Sequence, residues 1–314
     1  MTVLPARSLP HHPDGRASAR RRAARAGREL IAAAPFVMPS LALFAVFVFY
    51  PLIRSLYLGF HATDPFGRRE VWVGIEQYRD VLTSSDFRYS LFVTGQFALY
   101  TVVPATAIGL YLALLAHQRL PGIILFRTVF SSTVASSVAV ASVMWLLLLN
   151  PGVGVLNYLL DQGGVPAANW LTDPTWALPA VAMTTVWMNV GFATIVILAG
   201  LQNIPEELYE SARVDGARPL DQFLHITLPG LSPTLLFVSV VGVIFAFQSF
   251  GQIHILTQGG PLDSTTVIVY SIYREAFLHY NPGLASAQAI VLFVMVLLLT
   301  LAQFALAQRW VFYR

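Results

Sequence analysis

Two short stretches of uncharged polar residues interrupt otherwise apolar runs. One holds Trp187, Asn189, Gly191 and Thr194, the other Gln248, Ser249, Gly251 and Gln252. An amide donates and accepts hydrogen bonds, and so does a hydroxyl. An aromatic ring adds a stacking face. These groups suit the binding of a hydroxylated solute better than they suit a reaction. Polar groups in a membrane-length apolar run face a cavity or a neighbouring helix. Hydrogen bonding between helices is therefore the competing reading. A second candidate differs in kind. Residues 206–229, EELYESARVDGARPLDQFLHITLP, form a charged, amphipathic segment between two apolar runs. It has the look of a docking element for another protein. An amphipathic pair lying on the membrane surface is the alternative.

Catalytic constellations are missing. Every one of the 19 basic residues is arginine. A P-loop, G-x-x-x-x-G-K-[ST], needs its lysine to reach the phosphates, so no such site exists in this chain. Any ATP-driven step then belongs to another polypeptide. There is no HExxH, GxSxG or paired-carboxylate arrangement. His11 and His12 form a lone pair, and His117, His225, His254 and His279 are scattered, so no metal site is expected. The absence of cysteine excludes disulfides and thiolate ligands. The net charge of +3 is not read as a nucleic-acid surface, because the arginines are placed by topology.

The elements that must position these residues are membrane spans. The chain is 56% hydrophobic and 11% charged, whereas a soluble domain carries about 25% charged residues. Six apolar runs, at 33–58, 91–115, 124–149, 175–201, 231–256 and 284–307, match the roughly 20 residues that cross a bilayer. The expected class is an all-α membrane protein. Arg7, Arg16, Arg20, Arg21, Arg22, Arg25 and Arg28 precede the first run, which places the N-terminus in the cytoplasm. Alternation then puts Arg119, Arg127, Arg213, Arg218, Arg309 and Arg314 on the same side. The outer connections 59–90, 150–174 and 257–283 hold fewer arginines than acids. Both termini are thus expected inside. Residues 1–30 read as a basic, disordered tail and 31–314 as one six-span domain. A cleaved signal peptide is the other reading of the N-terminus. The apolar run there exceeds the roughly 7–15 residues of a signal core and lacks a small-x-small end.

Between spans four and five, at about 203–230, the pattern predicts helix, tight turn, helix. Asn203 is expected to cap the first helix, with Pro205 in its first turn and Glu206 completing a capping box. Gly216 stops that helix. Pro219 starts a second one carrying Leu220, Phe223, Leu224 and Ile226, which Pro229 ends before the fifth span. In the third span, Ser131, Ser132, Thr133, Ala135, Ser136, Ser137, Ala139, Ala141 and Ser142 favour close packing of a buried helix.

Glu210-Ser211-Ala212, Asp215-Gly216-Ala217 and Ile226-x-Leu228-Pro229 resemble the EAA loop of binding-protein-dependent ABC importer permeases. Its pattern is E-A-A, three residues, G, nine residues, I-x-L-P, and the spacing here is the same. Ser211 replaces one alanine. The resemblance implies a type I importer permease fold with cytoplasmic coupling helices. It also implies that Glu210, Ala212, Asp215, Gly216, Ala217, Ile226, Leu228 and Pro229 dock on an ATPase subunit and carry its motion. Implied partners are a second homologous permease, two ATPase subunits and an extracytoplasmic binding protein, all at a bacterial plasma membrane. ATP and magnesium would sit on the ATPase chains, with no cofactor here. Phe49-Tyr50-Pro51-Leu52 and Leu256-Thr257-Gln258-Gly259-Gly260-Pro261 look like the carbohydrate-uptake class. Thr265-Thr266 followed by Val269–Phe277 is similar to the glycerol-3-phosphate type, as are Ser286-Ala287-Gln288 and the ending from Gln303-Phe304 to Tyr313-Arg314. That likeness implies uptake of glycerol-3-phosphate or of glycerophosphodiesters such as glycerophosphocholine. A trehalose- or maltose-like disaccharide is the alternative. In maltose-type relatives the stretches matching Trp187, Gly191, Thr194, Gln248 and Gly251 line the sugar site. A secondary transporter or channel working alone would need inverted repeats or buried mid-span acids, and neither is evident.

Overall fold

The structure is a computed structural model that describes residues 33–64, 70–118 and 121–308. The basic tail expected at 1–30 lies outside the described residues, as do Arg119, Arg309 and Arg314. Contacts divide the chain into two units, Met1–Arg54 and Ser55–Arg314. The described part of the first unit belongs to helix α1 (Ala33–Gly59), which is apolar enough to cross a bilayer and contains a π turn at Ala45–Phe49.

The second unit begins with a two-stranded antiparallel hairpin, β1 (His61–Thr63) and β2 (Glu70–Trp72), in which His61 pairs with Trp72 and Thr63 with Glu70. A short helix, α2 (Glu76–Thr83), follows. So the 59–90 connection is structured and not a plain loop. Helix α3 (Ser85–His117) starts where the Ser84 hydroxyl accepts from the Phe87 amide at 3.3 Å, which satisfies one of the unpaired donors of the first turn. Pro104 lies within α3. Helix α7 (Ala177–Gln202) packs along α3 and also touches the third and fifth spans. Phe97 of α3, Val181 and Ile197 of α7, Leu231 and Ile253 are fully buried along this seam. The last span, α12 (Pro282–Ala307), begins with the Asn281 side chain accepting from the Leu284 amide at 3.2 Å.

The third span is not the continuous packed helix expected over 124–149. It is α4 (Ile123–Ser131) plus a 3-10 turn at Ser132–Ala135, then α5 (Val138–Leu148), bent by 104°. Serine and threonine hydroxyls bond to backbone carbonyls at the bend. Ser132 Oγ donates to the Val129 carbonyl at 2.7 Å and Thr133 Oγ1 to the Phe130 carbonyl at 3.3 Å. Such side-chain bonds compete with the helical ladder, and Ser136 and Ser137 then run extended. Helix α6 (Val155–Gln162) occupies the 150–174 connection, where Asn157 accepts from the Trp170 indole at 2.8 Å.

The segment after α7 departs from expectation at both ends. Asn203 closes α7, and helix α8 (Glu206–Val214) begins directly after Pro205 with no side-chain cap. The next helix does not stop at Pro229. It runs as α9 (Pro219–Phe247), through a π turn at Phe223–Thr227, into the fifth span. A proline lacks an amide hydrogen and so leaves the carbonyl four residues back without its helical partner. For Pro233 that carbonyl is on Pro229, and Ser232 Oγ donates to it at 2.7 Å. The fifth apolar run is also interrupted, since α9 ends at Phe247 and the chain restarts as α10 (Gly251–Leu256). Then α11 (Ile268–Tyr273) continues into a π turn at Arg274–Leu278. Among the described residues, five helices are long and apolar enough to span, and the bent pair counted as one span makes six.

Candidate functional site

The two interrupted spans meet. A β-carbon on Gly251, at the start of α10, would lie 2.9 Å from Val138 Cγ1 at the start of α5. Between these breaks and α7 lies a cleft of about 650 Å³. Its polar lining comes from Thr133 and Ser136 of the bent span, Thr185 and Asn189 of α7, and Gln248, Ser249 and Gln252 of the second break. Phe192, Phe245 and Phe250 supply aromatic surface, and no charged side chain contributes.

Five of the eight solute-path candidates therefore gather here: Asn189, Gln248, Ser249, Gly251 and Gln252. Among the described residues the Asn189 and Gln248 side chains make no hydrogen bond within the chain, so their amides are free for a ligand. Gln252 is 6% exposed. Its Nε2 donates to Ser249 Oγ at 3.0 Å and to Thr185 Oγ1 at 3.3 Å. Both hydroxyls donate onward to backbone carbonyls, Ser249 to Phe245 at 3.0 Å and Thr185 to Val181 at 3.0 Å. Gln252 thus ties the break to α7. The other three candidates serve packing. Trp187 sets its ring edge-on to Trp145, with centroids 6.2 Å apart. The Thr194 hydroxyl donates to the Val190 carbonyl at 2.7 Å and is buried. Gly191 lets the bent span approach: a β-carbon there would collide with Thr133 Oγ1 and lie 2.7 Å from the Phe130 carbonyl. Sequence reasoning assigned Thr133 and Ser136 to helix packing. Their clustering with Ser132 and Ser137 was the available sign of a broken helix.

The second candidate is the segment from α8 into α9. Helix α8 ends in a left-handed turn at Gly216, φ +79°. The Gly216 amide donates to the Arg213 carbonyl at 3.1 Å and the Ala217 amide to the Ala212 carbonyl at 2.9 Å, the pairing by which a glycine closes a helix. The Ala217 carbonyl accepts from Gln222 Nε2 at 3.1 Å, and the Arg218 amide donates to Asp221 Oδ2 at 3.1 Å at the head of α9. Glu210 and Asp215 are exposed, while Ala212, Ala217, Ile226, Leu228 and Pro229 are half-buried. The turn also displays Val214 and Leu220, 88% and 66% exposed. Val214 is not among the residues expected to dock, and sequence reasoning missed it. Tyr209 of α8 and Thr227 of α9 hydrogen-bond across the turn at 3.0 Å. Among the described residues, no group of His, Cys, Asp and Glu could hold a metal ion.

Residues 105–311 match the family described as "Binding-protein-dependent transport system inner membrane component". Over 276 residues the chain is 35% identical to the sn-glycerol-3-phosphate transport system permease protein UgpA of Brucella abortus, covering 88% of this chain and 94% of that protein. It is 36% identical over 268 residues to the trehalose/maltose transport system permease protein MalF of Thermococcus litoralis, covering 84% and 90%. A chain in the crystal structure of a bacterial ABC transporter involved in the import of the acidic polysaccharide alginate shares the fold. Its TM-score is 0.79 at 24% identity, covering 92% of this chain and 99% of that one.

Proposed function

The chain belongs to the family of inner membrane components of binding-protein-dependent transport systems, and we propose that it forms half of the translocation path of an ATP-driven importer for a small hydroxylated solute. It is a multi-pass permease subunit without catalysis of its own, and the ATPase is a separate partner chain. The observation that carries the proposal is the continuity of α9. One helix starts at the Gly216 turn and ends at Gln248, on the rim of the uncharged cleft. A movement imposed on the turn would reach the cleft without crossing a loop.

In this reading Glu210, Ala212, Asp215, Gly216, Ala217, Ile226, Leu228 and Pro229 form the element that docks on the ATPase. The exposed apolar Val214 and Leu220 support it, because they lie beside the turn that would enter a partner's cleft. The partners are a second homologous permease, two ATPase subunits holding ATP and magnesium, and an extracytoplasmic binding protein. Residues 31–314 form the permease body, residues 1–30 a basic tail, and both termini face the cytoplasm. Asn189, Gln248, Ser249 and Gln252 contact the solute or hold those that do.

The primary solute reading is glycerol-3-phosphate or a glycerophosphodiester such as glycerophosphocholine, supported by the 35% identity to permeases for sn-glycerol-3-phosphate. A disaccharide of the trehalose or maltose kind is the second reading. It is favoured by a cleft with free amides, three phenyl rings and no cation to pair a phosphate. The test is ATP hydrolysis by the complete complex in lipid vesicles, with the binding protein and each of glycerol-3-phosphate, glycerophosphocholine, trehalose and maltose. Stimulation by the phosphorylated glycerols alone supports the first reading. Stimulation by a disaccharide alone replaces it with the second. Activity without any ATPase partner would sink the importer reading.

A further inference from the structure

We propose that the hydrogen bond between Tyr209 and Thr227 is a clasp that makes α8 and α9 move as one body, so that both are positioning residues for energy coupling. The proposal rests on the coupling role of this segment given above. Helices α8 and α9 are joined by residues 215–218 alone. Gly216 sits at the middle of that joint, and no heavy atom lies within 4 Å of where its β-carbon would be. Among the described residues, no side chain fills the space beside Gly216. If α8 pivoted there, its motion would be absorbed and would not pass into α9.

Side-chain bonds oppose such a pivot. Gln222 Nε2 to the Ala217 carbonyl acts close to the hinge, where it has little leverage. Tyr209 OH to Thr227 Oγ1, at 3.0 Å and eighteen residues apart in sequence, joins the middle of α8 to α9 more than two turns beyond its start. Thr227 is the last residue of the π turn and is buried. Its hydroxyl also reaches the Gln222 carbonyl at 3.4 Å, so Thr227 can donate there while accepting from the Tyr209 phenol. The acceptor is therefore held by the widened turn of the helix that must move. From Thr227 to Gln248 the helix rises about 1.5 Å per residue, so a body clasped at Thr227 carries its displacement some ~30 Å to the cleft. Tyr209 and Thr227 also line a separate cleft of about 790 Å³ with the ends of α3 and α7. Space beside the clasp would let α8 swing if the bond were lost.

The test uses the complete complex in lipid vesicles, with the solute that stimulates hydrolysis in the four-solute assay. Solute accumulated per ATP hydrolysed is read for Tyr209→Phe, Thr227→Val, the double variant and Thr227→Ser. One buried hydrogen bond biases an equilibrium by about two- to tenfold. We expect each single variant to lower the ratio by that factor, with the ATPase subunits still co-purifying in normal proportion. The double variant should lose no more than either single, since both remove one bond, and Thr227→Ser should keep the wild-type ratio. An unchanged ratio in the singles, additive losses in the double, or loss of the ATPase subunits from all of them would overturn the clasp. Asp215→Arg, measured alongside, separates the two claims. Wild-type transport by that variant sinks the coupling role itself, whereas its loss together with a normal Tyr209→Phe sinks only the clasp.

Discussion

Replacement of Gly216 in a graded series tests whether backbone conformation alone makes this glycine necessary. Its φ of +79° is in the left-handed region, and the space around its missing β-carbon is open. Within the chain, a side chain there costs conformation and not contact. For an ordinary L-residue that cost is about 1–2 kcal/mol, or about a 5- to 30-fold shift toward an unformed turn. Asparagine visits this region more readily, so Gly216→Asn should lose less than Gly216→Ala. Valine, branched at the β-carbon, should lose more than alanine. Proline cannot adopt the angle at all, because its ring fixes φ near −65°. It also removes the amide that donates to the Arg213 carbonyl at 3.1 Å, adding about 1 kcal/mol. Gly216→Pro should abolish transport while the chain still inserts into the membrane. The assay is binding-protein-dependent solute uptake by vesicles carrying the complete complex, normalised to membrane-inserted chain. The expected order of activity is Gly, Asn, Ala, Val, Pro. Equal losses for Asn, Ala and Pro would refute the conformational reasoning and point to a partner surface that excludes any side chain. Normal uptake by Gly216→Pro would refute the coupling role.

Four further variants have outcomes set by the geometry. Gly191→Val should reduce the yield of folded protein, because its side chain would drive into Thr133 and the Phe130 carbonyl, and overpacking of this kind costs about 1–3 kcal/mol; a normal yield and melting temperature would contradict the packing role. Gln248→Ala should weaken solute-stimulated ATP hydrolysis with no loss of folded protein, since that amide has no hydrogen-bond partner among the described residues. Gln252→Leu should instead lower the melting temperature, because it leaves two committed hydroxyls at Thr185 and Ser249 without their donor; equal stability of the two variants would argue against this division. Asp173, before α7, accepts from the Thr175 hydroxyl at 2.6 Å and its amide at 2.8 Å, which hold its carboxyl below the ordinary value. A depressed folded-state value means the turn's stabilisation is complete above the ordinary value, about pH 4, and is lost as pH falls through the lowered one. Thr175→Ala should move that loss upward in pH, and an unchanged carboxyl titration by NMR would contradict it.

The sequence made the long elements legible because hydrophobic length is decided by the bilayer. The boundaries of α7 and α12 lie within a few residues of the runs read from composition. The Gly216 turn was legible because few residues tolerate its backbone angle. What hid was local competition between bonds. The hydroxyls of Ser132 and Thr133 bond to carbonyls at the break of a run that is apolar enough to cross whole. The hydroxyl of Ser232 does the opposite, satisfying the Pro229 carbonyl that Pro233 leaves without its helical partner. The amide stretch around Gln248 read correctly as polar and apart, yet its partition into free and committed side chains depends on Thr185, a residue 67 positions away from Gln252. Spacing along one helix carries no record of that.

The uninterrupted passage of α9 from Pro219 to Phe247 bears on how such chains can change over evolutionary time. Each residue added to or removed from a helix turns everything beyond it by about 100° and shifts it by about 1.5 Å. A single insertion between Gly216 and Gln248 would therefore leave both ends intact while pointing them in unrelated directions. A loop absorbs an extra residue freely, whereas a helix can do so only by widening a turn, as α9 is widened at Phe223–Thr227. The nine residues between Gly216 and Ile226 then act as a register mark at the start of a ruler whose far end lies at Gln248. On that geometry a change in the length of α9 disturbs the relation between the turn and the cleft more than a substitution along it does.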